Sequence, residues 1–325
     1  MATILTVTVN PSLDVTTSTA KLEPQRKLRC GTPVHDAGGG GANVSRAIRA
    51  LGGESRAFVG LGGNTGRQFA ALLQQAGVDF IEYALSGETR SSMTVMEEAT
   101  GLHYRFVLPG PPQSPQTGDE MLAQLERIII DEKVAFVVAS GSLLPGLSSD
   151  FYGRLGNMVR AQGARLVLDT HGEALKGALS GRPFLIRLNE IEARALAHET
   201  EHDVPVAELA RVLVDRQIAD VVVVGRGEQG SLITTADEQF SIAPPKVQVH
   251  SMVGAGDSYV AALTLALSRG WSLEAANRYG VAAAASAVTR DATQLCSLTG
   301  TEELFKLTGK PIYFGEELQA SPPSS

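Results

Sequence analysis

The chain has 325 residues, 43% hydrophobic and 19% charged, with a net charge of −7, a length that suits one main domain carrying a smaller excursion. The acidic balance and the absence of a long basic run set nucleic acid aside as a partner and favour small-molecule chemistry. No apolar run reaches the roughly 18 residues of a membrane-spanning helix, Met1–Ile4 carries no secretory pattern, and Cys30 and Cys296 are too few for a disulfide framework, so a cytoplasmic setting without membrane contact is expected.

Ile4 to Val9 reads as a first strand, broken at Asn10-Pro11-Ser12, which places Asp14 at a loop mouth. Residues 15 to 35, Ser91 to Met96 and His103 to Leu108 alternate weakly without intervening helices and read as a small separate sheet. Gly38-Gly39-Gly40-Gly41 then leads into a helix from Ala42 to about Leu51 and a strand from Ser55 to Val59. Helices near Thr65 to Ala76 and Thr117 to Asp131 follow, with a strand at Val134 to Ala139. Residues 165–169, 184–187 and 220–224 are short continuous apolar runs, the pattern of strands covered on both faces. Such alternation predicts an α/β fold with a doubly wound, mostly parallel central sheet flanked by helices. Residues 1–11, 36–88 and 110–318 are assigned to this main domain, 12–35 and 89–109 to a small β-sheet lid, and 319–325 to a flexible tail.

The most informative stretch is Val253-Gly254-Ala255-Gly256-Asp257-Ser258, a glycine-rich turn opening an apolar helix. Glycines admit a phosphate close to the backbone, unpaired N–H groups at the helix start attract anions, and Asp257 stands where it can take a proton. The same residues also suit a plain helix cap. In doubly wound sheets, ligands gather beyond the C-terminal strand ends, where Asp14, Asn189, Gly225 and this turn are all expected.

The four glycines before Asn43 form a loop without side-chain walls, and each forgoes of order 0.5 to 1 kcal/mol relative to Ala on ordering, which argues for a purpose. Asn189 and Glu192 share a face of a helix that directly follows a strand. They suit a sparse magnesium site, or equally a capping pair of Asn at N-cap with Glu at N3. Lys27, Arg90 and Arg105 lie in the small sheet and form a cationic set able to hold a second anion. Gly60-Leu61-Gly62-Gly63-Asn64-Thr65-Gly66 hints at a dinucleotide loop, but its third glycine falls one place late, and no P-loop ending is present.

Taken together these segments resemble the ribokinase-like carbohydrate kinases, most closely the branch of minor bacterial 6-phosphofructokinases, 1-phosphofructokinases and tagatose-6-phosphate kinases. Asn10 to Asp14, Lys27 to Cys30, Gly38 to Val44, Thr89-Arg90, Tyr104 to Val107, Ser140 to Ser142, the Asn189/Glu192 pair, Val253 to Ser258 and Leu295 to Ser297 occur in that branch's order. The resemblance implies ATP-dependent phosphorylation of a hexose phosphate, with fructose 6-phosphate as first choice, magnesium as cofactor and a homodimer formed through the lid. A non-catalytic phosphosugar-binding regulator is the alternative from another class.

By the same resemblance Asp257 is the general base, and Gly254, Ala255 and Gly256 form the anion hole. Asp14, Gly38, Gly39, Asn43 and Ser140 would contact the sugar, with Lys27, Arg90 and Arg105 near its phosphate. Arg187, Asn189, Gly225, Arg226, Gly227 and Gly230, with the helix of Ala283 to Ala287, would face the nucleotide, and Asn189 with Glu192 the metal. Arg187-Leu188 stands where relatives carry Lys-Pro, Gly225-Arg226 replaces a Ser-containing pair, and Met252 replaces a common Thr. Arg290, Asp291, Ala292 and Gln294 depart from the segment linked to a monovalent cation, which argues against potassium activation.

Overall fold

The computed structural model describes residues 3–198, 204–291 and 293–314; the tail assigned to 319–325, and Ala292, lie outside the described residues. In chain order the strands are β1 (Thr3–Thr8), β2 (Ser12–Thr19), β3 (Val34–Gly38), β4 (Arg56–Leu61), β5 (Asp79–Ala84), β6 (Arg90–Glu97), β7 (Leu102–Val107), β8 (Val134–Ser140), β9 (Arg165–Asp169), β10 (Leu185–Asn189), β11 (Val221–Gly225), β12 (Ser231–Thr234), β13 (Gln239–Ile242) and β14 (Ile312–Tyr313). The helices are α1 (Gly40–Ala50), α2 (Gly63–Gln75), α3 (Pro115–Asp131), α4 (Phe151–Ala161), α5 (Gly172–Ala178), α6 (Glu190–Ala197), α7 (Val206–Asp215), α8 (Ala255–Ser268), α9 (Leu273–Val288) and α10 (Leu298–Leu307).

Ten strands form the central sheet in the order β14-β13-β12-β11-β10-β9-β8-β1-β4-β5. From β11 to β5 every pairing is parallel, while β12, β13 and β14 add an antiparallel edge. The continuous apolar runs are explained by burial on both faces. Leu5, Val7, Val137, Leu168, Ile186 and Val222 pack in one core layer, and Ile4, Phe136, Val138, Val167, Leu185 and Val223 pack in the other. Because successive side chains alternate faces, a strand covered on both sides needs apolar residues at every position. Each such side chain contributes about 1.5–3 kcal/mol by leaving water. Helix α8 is buried continuously from Ser258 to Ala266, which accounts for a sequence that Thr264 alone interrupts between Tyr259 and Ala266.

The small sheet has the order β3-β2-β6-β7. The pair β2–β6 is parallel and its neighbours are antiparallel. Strand β3 stays in this sheet through Gly38, past residue 35. Asp14 is therefore not at a loop mouth: the chain bends at Asn10-Pro11 and re-enters a strand at Ser12, and Asp14 pairs in register with Asp36 and Ser92. Much of the segment between β2 and β3 carries no strand. No described helix is long and apolar enough to cross a membrane.

Candidate active site

Helix α1 begins at Gly40 rather than Ala42, and the glycine run is shaped largely by packing against the protein itself. A Cβ on Gly41 would stand 2.5 Å from Thr8 Oγ1 and 2.6 Å from the Val7 carbonyl oxygen. A Cβ on Gly40 would collide with the Ser140 hydroxyl, and one on Gly38 with the Asp14 carboxylate. On Gly39 the Cβ would press on Thr8 Cγ2 at 2.8 Å. The missing side chains thus let α1 approach β1, β8 and β2 closely, bringing Ser140 and Asp14 to the start of α1.

Asp14 is buried, and its Oδ1 accepts a hydrogen bond from Ser12 Oγ. Burial raises its carboxyl above the usual range, and the Ser12 bond and the Arg105 and Arg90 charges pull it back. Arg90 donates from Nε and Nη2 to the Asn10 carbonyl at 3.3 and 3.2 Å, and from Nη1 to that of Leu108 at 3.4 Å. Its guanidinium therefore also ties β6 to the bend before β2. Arg105 is exposed on β7, and Lys27 is exposed in the segment between β2 and β3.

Asp257 lies in the first turn of α8, after Gly254 at φ 75°, a left-handed conformation that glycine adopts without strain. No side chain caps this helix start, so its first N–H groups remain available to an anion. The carboxylate is half-buried, and its Oδ2 accepts from Asn43 Nδ2 at 2.9 Å. Burial, and then the charge of Asp169, push its pKa up to about 6 against the opposing effects of Asn43, Arg187 and Arg105. The Arg105 charge favours ionisation of both Asp14 and Asp257. The segment Gly38–Asn43 runs between the two carboxylates, touching Asp14 at one end and Asp257 at the other.

Arg187, near the end of β10, places Nη1 3.4 Å from Asp169 Oδ2. A Cβ on Gly256 would stand 3.0 Å from Nη1 of Arg187, and one on Gly225 would stand 3.4 Å from Nη2. The guanidinium thus lies under the α8 turn, and Asp169 holds it firmly charged despite burial. Asp169 escaped the sequence analysis although it ends an apolar strand at the same sheet edge as Asn189, the signal that could have found it.

The Asn189/Glu192 pair forms a reciprocal capping box: Glu192 N donates to Asn189 Oδ1 at 2.9 Å, and Asn189 N to Glu192 Oε2 at 2.8 Å. The amide oxygen of Asn189 is committed to that cap, leaving Glu192 Oε1 outside it. Among the described residues no group of three or more His, Cys, Asp or Glu side chains is arranged to hold a metal.

Some residues expected on the nucleotide side are enclosed by the protein itself. Ala283 and Ala287 are fully buried in the core, so they do not line an open surface; within that segment only Ala284 is partly exposed. Gly230 has φ 83°, and a Cβ there would collide with the Ile242 carbonyl, so its need for glycine is set by the turn into β12. Gly227 is exposed in that turn, and Arg226 Nη2 donates to the Gln229 carbonyl at 3.4 Å.

Residues 8–300 match the pfkB family of carbohydrate kinases. The ATP-dependent 6-phosphofructokinase isozyme 2 of Mycobacterium tuberculosis is 42% identical, over 97% of this chain and 92% of its own. Two structures of phosphofructokinase-2 from Escherichia coli superpose on it, each covering 94% of this chain and 99% of the other. The tetrameric inhibited form has a TM-score of 0.87 at 37% identity. The complex with fructose-6-phosphate has a TM-score of 0.86 at 36% identity.

Proposed function

The chain belongs to the pfkB family of carbohydrate kinases, and from that membership and the geometry around Asp257 we propose that it phosphorylates fructose 6-phosphate with ATP to give fructose 1,6-bisphosphate. The observation that carries this is the half-buried Asp257 carboxylate at the uncapped start of α8, held by Asn43 and with its pKa lifted to about 6. Such a group is ionised at neutral pH yet basic enough to take a proton from a sugar hydroxyl in the transition state.

Asp257 accepts the acceptor hydroxyl's proton as its oxygen forms a bond to the γ-phosphorus and the bond to the departing ADP breaks. The N–H groups of Ala255 and Gly256 receive charge on the transferring phosphoryl group, and Arg187, under the same turn, adds fixed positive charge. Asp14 orients the sugar by accepting from its hydroxyls, beside Gly38, Gly39 and Ser140. Lys27, Arg90 and Arg105 face the sugar phosphate. Gly225, Arg226 and Gly227 border the nucleotide.

Magnesium, when bound with the nucleotide, supplies neutralisation of phosphate charge. It takes few protein ligands and keeps several waters, which fits Glu192, whose Oε1 is outside the capping box, better than Asn189. A lid composed of the small sheet exposes Met93 on β6 with its register partner Phe106 on β7, and Leu102 on the same face, and an apolar face of this kind suits burial against a second copy of the chain. The free cysteines, Cys30 exposed and Cys296 buried, suit a reducing cytoplasm.

The test is a coupled ADP-release assay across fructose 6-phosphate, fructose 1-phosphate, tagatose 6-phosphate, fructose and ribose. The highest kcat/KM is expected for fructose 6-phosphate. A higher value for another sugar would reassign the substrate, and no ADP release with any of them would support a non-catalytic role.

A further inference from the structure

The Asn43 amide stands between a group that only donates and a group that only accepts. Arg46, one helical turn further along α1, donates from Nη1 to Asn43 Oδ1 at 3.1 Å and to the Ala37 carbonyl at 2.9 Å, and from Nη2 to Asp36 Oδ1 at 2.7 Å. Asp36, on β3, accepts through its other oxygen from Thr293 Oγ1 at 2.5 Å. A guanidinium has no acceptor and a carboxylate no donor. One amide orientation therefore serves both neighbours: Oδ1 toward Arg46 and Nδ2 toward Asp257. The reverse would set N–H against guanidinium and carbonyl oxygen against carboxylate.

We propose that Arg46 is a positioning residue that locks the Asn43 amide so that its N–H faces Asp257, and that Asp36 and Thr293 hold Arg46 in place for this task. The proposal rests on Asp257 acting as the base. The relay joins the small sheet through Asp36, helix α1 through Arg46 and Asn43, and the segment between α9 and α10 through Thr293. It touches no reacting atom. Asp257 is faced by Asn43 from α1, by Asp169 from β9, by Arg187 from β10 and by Arg105 from β7. Of these, Asn43 alone supports the carboxylate through a group that can rotate into opposing it.

Removing the lock with Arg46→Met is expected to move the acidic limb of the kcat/KM profile upward by about 0.5–1 pH unit, because a hydrogen bond to the charged form is weakened. Turnover at pH 8 should fall about 3–30-fold, with little change in the KM for ATP. In an Asn43→Ala background Arg46→Met should move the limb no further. Arg46→Lys, which keeps one cationic donor, should restore part of the shift. A fall in turnover with an unmoved limb, or an equal shift in both backgrounds, would overturn the proposal. A readout independent of turnover is the pH midpoint of the stability difference between the parent and Asp257→Asn proteins, measured with and without Arg46→Met. That midpoint should rise in parallel, and an unmoved midpoint would also overturn the proposal. Absence of kinase activity would instead count against Asp257 as base and leave the midpoint measurement standing. Should Arg46→Met not fold, Arg46→Lys and Thr293→Val are expected to move the limb in the same direction by less, and no movement in either would overturn it.

Discussion

Asn43 donates through Nδ2 to Asp257 Oδ2 at 2.9 Å, joining side chains 214 positions apart. Asn43 lies in the first turn of α1 and Asp257 in that of α8, so two helix starts meet where the proposed mechanism brings acceptor and phosphoryl group together. The bond stabilises the carboxylate while burial and Asp169 oppose ionisation. A carboxylate poised in this way has its pKa near neutrality, where the strength of the proposed base is most useful.

Asp257→Asn removes the proton acceptor and keeps an oxygen for the Asn43 N–H. Turnover in the ADP-release assay should fall by about two to four orders of magnitude, while calorimetry should find sugar-phosphate binding largely retained. Unchanged turnover would remove Asp257 from the role of base.

The raised pKa fixes the sign of two pH effects. Catalysis needs the ionised form, so kcat/KM should drop about tenfold per unit below a limb near pH 6. Stability runs the other way. The folded pKa exceeds the unfolded one, so folding carries a proton-linked advantage at low pH that disappears as pH rises through about 6. Asp257→Asn should therefore be more stable than the parent by about 1–3 kcal/mol at pH 8, with the gap closing toward pH 4. Paired thermal melts across that range would check it.

Gly38→Ala would drive a methyl group into the Asp14 carboxylate, whose side chain can swing aside without unfolding the sheet. The KM for sugar phosphate should rise about tenfold or more as that contact is displaced, with the KM for ATP nearly constant. Equal effects on both substrates would separate Asp14 from the sugar.

Glu192→Gln keeps an acceptor for the Asn189 N–H and deletes the charge. The half-saturating magnesium concentration should increase about 3–30-fold, while the melting temperature stays within a few degrees because the capping box survives. An unchanged magnesium requirement would leave Glu192 as a cap alone.

Phe106 is 54% exposed on β7, in register with the exposed Met93 of β6. If this face pairs with a second copy, Phe106→Glu should lower the sedimentation coefficient at micromolar concentration without altering the far-UV spectrum. Identical sedimentation of variant and parent would place any association elsewhere.

The central sheet was legible because a strand buried on both faces must be apolar at every position, as 221–224 is, and the shortness and β-branched composition of that run set it apart from a buried helix such as α8. The turn at Gly254 to Asp257 was legible for a similar reason: a left-handed cap and an anion-ready helix start are local properties of adjacent residues. Asp14 was placed at a loop mouth, because nothing local to Asn10-Pro11 says that the chain re-enters a strand at Ser12 and pairs with β3 and β6.

Local chemistry, then, wrote the fold class and the phosphate-ready turn into short stretches of chain. Which groups meet there was decided by packing between distant elements. The glycine run reads as an open ligand loop, yet its neighbours Thr8, Asp14 and Ser140 come from three different strands. Asp169, Arg187 and the Arg46 relay acquire their significance from charges and hydrogen bonds that exist only once β3, β9, β10, α1 and α8 are assembled. Electrostatic and hydrogen-bond energies depend on separations of a few ångströms, and a linear sequence carries no such distances.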